Sequence, residues 1–111
     1  MAIDKALAFE RAFEDLAHAL NWSKQANITT DWLMGQLDLK KYAVLITEHD
    51  IDENSYELIM FDKNQSDYSN DWFIIYQARG EYIKLLYQKA LAWQHGYTYD
   101  DQQSKFMKGG N

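Results

Sequence analysis

The chain has no cysteine and no proline among its 111 residues, and only five glycines. Without thiols there are no disulfides, no thiolate nucleophile and no thiolate-bound metal. Without proline, no turn can be assigned from a fixed φ. Gly35, Gly80, Gly96, Gly109 and Gly110 form neither a GxGxxG nor a Walker pattern, so a phosphate-cradling loop is not expected. No Gly-x-Ser-x-Gly is present either, which leaves nucleophilic catalysis without a motif. Long apolar runs are also missing. Nothing approaches the ~18 residues that suggest a membrane span, and the opening MAIDKALAFERAFEDLAHAL is too interrupted by acids for a secretory signal. Cytoplasm is the expected compartment, with no membrane partner.

What remains is 47% hydrophobic and 15% aromatic, a composition that folds rather than staying disordered. The length suits one domain, expected to span 1–111 with a polar tail over 97–111 that frays unless a neighbour holds it. Net charge is -6, which disfavours binding nucleic acid or anionic lipid through phosphates and favours a basic partner.

Hydrophobic periodicity organises the chain. Ile3, Ala6, Phe9, Phe13, Leu16 and Leu20 recur at helical spacing, so 3–22 reads as an amphipathic helix. Thr29-Thr30-Asp31 is a helix-start signal for a short second helix ending near Leu37 or Asp38. The period then drops to two. Tyr42, Val44 and Ile46 mark one strand, and Tyr56, Leu58 and Met60 a second, joined by a loop too long for a two-residue turn. The next segment fits two readings. One is a single helix over 71–95. The other is a strand over 71–77, a turn at Ala78-Arg79-Gly80 and a helix over 81–95, with Gly96 just past its end. The apolar WFIIYQ run favours the second. The expected fold is therefore a small α+β domain, helix–helix–β-hairpin–(third strand)–helix. Its antiparallel sheet packs on helices around Phe9, Phe13, Leu16, Leu20, Val44, Ile46, Leu58, Met60, Ile83 and Leu86. A mainly helical chain with one hairpin is the alternative.

Charge supplies the main functional signal. Seven carboxylates fall between Glu48 and Asp67: Glu48, Asp50, Asp52, Glu53, Glu57, Asp62 and Asp67. Lys63 is the one cation in that window, so it sums to -6, the charge of the whole chain. Asp50-Ile51-Asp52-Glu53-Asn54 resembles the opening of a calcium loop. However, Ser55 stands where the turn needs glycine and Phe61 where a bidentate Glu belongs. The ordinary role of such a loop is a solvated hairpin connection whose charge blocks edge pairing. His18, His49 and His95 lack zinc spacing, and His49 between Glu48 and Asp50 is the one group expected to be pH-sensitive. Tyr82, Tyr87, Trp93, Tyr97 and Tyr99 interleave with Arg79, Lys84 and Lys89, a pattern that can stack single strands. Here the net charge from Asp71 to Asn111 is only +1, so core and boundary are the simpler roles. Trp22, Trp32 and Trp93 would mark a partner site if exposed together.

The expectation is a non-catalytic acidic protein that binds, and in some cases inhibits, a basic macromolecular partner. It would present carboxylates where a nucleic-acid phosphate would lie, as inhibitors, immunity proteins and anti-defence proteins do. No cofactor and no metal are expected. The alternatives are a self-associating assembly protein, hence a homo-oligomer, and a small-ligand or enzymatic domain with a pocket between sheet and helices.

Overall fold

The apolar stripe near the start of the chain forms a helix, α1 (Lys5–Ala19), whose buried side is Phe9, Ala12, Phe13, Leu16 and Ala17. Asn21 stops it in the left-handed region at φ 62°. Its N–H donates to the His18 carbonyl at 3.2 Å and that of Trp22 to the Ala17 carbonyl at 2.7 Å, the paired closure of a Schellman cap. In α2 (Thr30–Gln36) the Thr29 hydroxyl accepts from the Trp32 N–H at 3.1 Å, as the start signal requires. The last helix is α3 (Ile83–Gln94), closed by Gly96 at φ 90°, whose N–H donates to the Trp93 carbonyl.

This computed structural model describes residues 5–22, 28–49, 55–64 and 73–109. Within them the strands are β1 (Tyr42–His49), β2 (Ser55–Asp62), β3 (Ile74–Gly80), β4 (Tyr97–Asp100) and β5 (Lys105–Lys108). The first three form an antiparallel sheet in the order β1-β2-β3, and β4 and β5 form a separate antiparallel pair. The protein is a small α+β fold. Its chain divides into two units, Thr29–Leu91 and Met1–Ile28 with Ala92–Asn111, and the boundary falls inside α3.

In the sheet unit, cross-strand register sorts residues onto two faces. Val44, Met60 and Tyr76 align across the strands, as do Ile46, Leu58 and Ala78. Leu58 and Met60 in the central strand have no exposure, and Leu33, Leu86, Ala90 and Leu91 of the same unit are equally covered. Fully burying such side chains stabilises by about 1.5–3 kcal/mol each. The opposite face carries Leu45, Ile59 and Gln77 in one row, Thr47, Glu57 and Arg79 in the next, and Ala43, Phe61 and Ile74 in a third. Leu45 and Ile74 there are nearly half exposed.

Several expectations shift. Residues 71–95 are not one helix, because β3 pairs with β2 along its length. Ala78-Arg79-Gly80 is the end of that strand rather than a turn, opposite Leu58, Glu57 and Tyr56. Gly80 serves proximity: a Cβ there would lie 3.4 Å from Leu86 Cδ2. Val44, Ile46, Leu20 and Ile83 are only partly buried, while Leu33, Leu37, Ala90 and Leu91 join the core.

The other unit holds the largest difference. The polar segment after Tyr97 is a hairpin, not a frayed tail. Tyr99 and Phe106 pair across it with rings 5.0 Å apart, and Phe9 of α1 meets them at 4.8 and 5.4 Å. Phe13 joins Phe106 at 5.9 Å and Trp22 at 6.0 Å. The turn is built by Asp100, whose carboxylate accepts from the Gln102 and Gln103 N–H groups, and by Ser104 at φ 52°. Aromatic contacts and a side-chain-capped turn order what composition alone suggests is loose.

Candidate functional site

The acid-rich window runs through the β1–β2 hairpin, so the ladder register decides where its charges go. Pairing is continuous from Tyr42↔Asp62 to His49↔Ser55, which leaves 50–54 to join the strands. Glu48, opposite Tyr56, is exposed at that closing end. Glu57 is on the other face of the sheet, by the alternation of side chains along a strand. There it forms an ion pair with Arg79, Nε to Oε2 at 3.9 Å, opposite it on β3. Asp62 is at the far end of the hairpin, about 20 Å of strand from Glu48, where its Oδ1 accepts from the Asn64 N–H at 2.9 Å. Asp50, Asp52, Glu53 and Asp67 lie outside the described residues. The three described carboxylates of the window are therefore not gathered on one surface. Glu57 is partly neutralised by its partner, and Asp62 organises a turn.

The far end of the hairpin gathers three lysines around two acids, Asp38 and Asp62, a small net positive charge. Lys40 and Lys41 are exposed in the turn before β1, and both backbone N–H groups donate to Asp38 Oδ1 at 3.2 Å. Lys63 joins them: its N–H donates to the Lys41 carbonyl at 3.0 Å and its Nζ to the Leu39 carbonyl. β1 thus begins beside three lysines and two acids, and carries exposed Glu48 as its next-to-last residue. Between those ends Tyr42-Ala43-Val44-Leu45-Ile46-Thr47 carries no charge at all. The acid count drew attention to one end of this strand and missed the other. The signal that could have found it was the uncharged run bracketed by opposite charges.

Among the described residues no group of three His, Asp or Glu side chains could hold a metal ion. His18 is exposed on α1, and His95 is packed edge-on against Trp22 with ring centres 5.1 Å apart. The His49 side chain lies outside what is described. Trp22, Trp32 and Trp93 are each partly covered, so none makes the open aromatic patch considered from sequence. Burial pushes the Tyr76 phenol up to about 12 and that of Tyr87 upward too, so both stay neutral rather than acting as bases at ordinary pH. The Gln88 carboxamide oxygen in α3 is buried without a hydrogen-bond partner among the described residues. No family model matches this chain, and no curated protein or solved structure matches it either.

Proposed function

We propose that this is a non-catalytic interaction protein whose docking site is the Glu48 end of the β1–β2 hairpin, and that it takes a partner with a basic surface. One observation carries the reading. The ladder closes at His49↔Ser55, so Asp50, Asp52 and Glu53 belong to a five-residue connection entered from exposed Glu48. The sheet unit reinforces it, holding eleven acids against six cations, whereas the other unit is nearly balanced. Clustered charge raises association rates with a complementary surface more than it raises affinity. Glu57 and Asp62 take no part, because one is paired and the other caps a turn.

The test is retention on immobilised poly-L-lysine at low salt. The Asp50→Asn/Asp52→Asn/Glu53→Gln variant is compared with a control of equal charge, Glu10→Gln/Glu14→Gln/Asp15→Asn on α1. The hairpin variant is expected to elute at distinctly lower salt than the α1 control, with unchanged melting. Equal elution of the two would leave net charge, and no particular site, as the cause.

A further inference from the structure

We propose that the outer edge of β1 pairs with β1 of a second copy, joining two three-stranded sheets into one antiparallel sheet of six. The inference rests on the interaction reading above and names its cationic surface: the Lys40, Lys41 and Lys63 end of the same strand in another molecule.

The two edges of the sheet differ. β3 has a register break opposite Met60 and Phe61 and places Arg79 near its end. Bulges and edge cations are devices that discourage strand addition. β1 has none of them. All eight of its residues pair with β2 in unbroken register, and its six-residue stretch Tyr42–Thr47 holds no charge and no glycine. Among the described residues β2 is the only strand bonded to it. Its core-facing Val44 and Ile46 keep part of their surface open where Leu58 and Met60 beside them are fully covered, and Leu45 on the outward face is 47% exposed. An uncharged, regular edge of this length is a template for another strand.

Charge selects the occupant. A foreign basic segment laid along β1 would meet Lys40 and Lys41 at one end while it gained Glu48 at the other. A second copy running antiparallel avoids that conflict, since Lys40 and Lys41, next to the edge of each copy, lie toward the exposed Glu48 of the other, while Asp38 and Asp62 reduce but do not cancel the local positive charge. Symmetry fixes the register. A two-fold axis normal to the sheet keeps each face on its own side, so it runs midway between the two copies of a single residue, and centring it on Leu45 overlaps the whole run. Val44 then faces Ile46 of the other copy on the core side, Ala43 faces Thr47, and the two exposed Leu45 side chains cover each other.

Sedimentation velocity of the purified chain at low salt, over a wide concentration range, tests this. A reversible dimer is expected, weakened as salt rises. Leu45→Lys, at an exposed position, sets like charges opposite one another at the axis and should weaken the dimer by about tenfold or more, with circular dichroism unchanged. Lys40→Glu/Lys41→Glu and Glu48→Lys/Asp50→Lys should each be monomeric alone and recover a dimer when mixed. A chain that is monomeric throughout overturns the proposal. So does a dimer that ignores Leu45→Lys and gains nothing from the mixture. A monomer whose poly-L-lysine retention still depends on Asp50, Asp52 and Glu53 removes the dimer and leaves the docking site standing. A dimer obeying the charge exchange, with retention indifferent to those acids, does the reverse.

Discussion

In the unit made of α1 and the β4–β5 hairpin, the rings of Phe9, Phe13, Tyr99 and Phe106 are turned on one another, and acids and cations nearly cancel. The sheet unit has a covered core of its own, but it leaves Met34, Leu39, Leu45, Phe73, Ile74 and Tyr82 open, where the other unit leaves Leu7 and Met107, and it holds most of the net charge. Side chains that satisfy each other internally contribute stability and offer a partner little. Side chains left open cost stability unless something covers them, and so they are where a binding role is to be sought. That contrast makes predictions for each unit, and they differ in size.

The largest effect belongs to Phe13, which is 1% exposed at the centre of the ring cluster. Phe13→Ala should destabilise by about 3–5 kcal/mol, from lost transfer energy and the cavity left behind. Native-state hydrogen exchange should show protection falling first in α1, β4 and β5. If β1–β3 amides lost protection to the same extent at the same denaturant concentration, the two units would be one cooperative block and the contrast drawn here would dissolve.

High pH comes next and acts on the sheet unit. The Tyr76 phenol is pushed from 10.0 up to about 12 by burial. Below pH 10 it is neutral whether the chain is folded or not, so the stabilisation is fully present. Above that, the unfolded chain releases the proton first, and stability falls as pH rises through the folded value, by about 2–3 kcal/mol in all. Denaturant unfolding at stepped alkaline pH should show the loss. Tyr76→Phe should flatten it, and an unchanged slope in that variant would assign the loss to other groups.

Gln88 offers a gain. Its buried carboxamide oxygen has no partner among the described residues, and such a group costs about 1–3 kcal/mol of desolvation. Gln88→Met keeps a flexible chain of similar length and should raise stability by about 1 kcal/mol. A melting temperature lowered by this change would mean that the amide is satisfied by something it binds.

How far the sequence revealed this division depends on the element. α1, β1 and β2 were legible because their apolar residues repeat at a helical or a strand period, and α2 because Thr29-Thr30-Asp31 marks its start. β3 was legible as a strand but offset, since Ile74 and Ile75 lie where the register breaks and alternation fails. The β4–β5 hairpin was hidden for a different reason. Its strands are four residues each and its turn uses Ser104 at positive φ, where glycine would have announced it. For the candidate site, the acid count was visible but its dispersal was not weighed. Side-chain alternation along β2 alone sets Glu57 on the face opposite Asp62, whereas placing Glu48 needed the β1–β2 register and the Arg79 partner the β2–β3 register. Likewise, Val44 and Ile46 read as core because nothing in their spacing tells an edge strand from a central one.

The smallest effect tests whether Glu57 is rightly set apart from the docking acids. Its pair with Arg79 is long at 3.9 Å, and the Arg79 side chain is 56% exposed. Pairs of this kind are screened by water and salt and contribute between nothing and about 0.5 kcal/mol. Glu57→Gln should therefore leave the melting temperature nearly unchanged. It should also shift poly-L-lysine elution less than Glu48→Gln does, although both remove one charge, because Glu57 already has a cation beside it and Glu48 is exposed at the closing end of the hairpin. Equal shifts would show that the ion pair gives no local neutralisation in solution. Glu57 would then rejoin the acidic surface, which would extend over both faces of the sheet rather than one end of it.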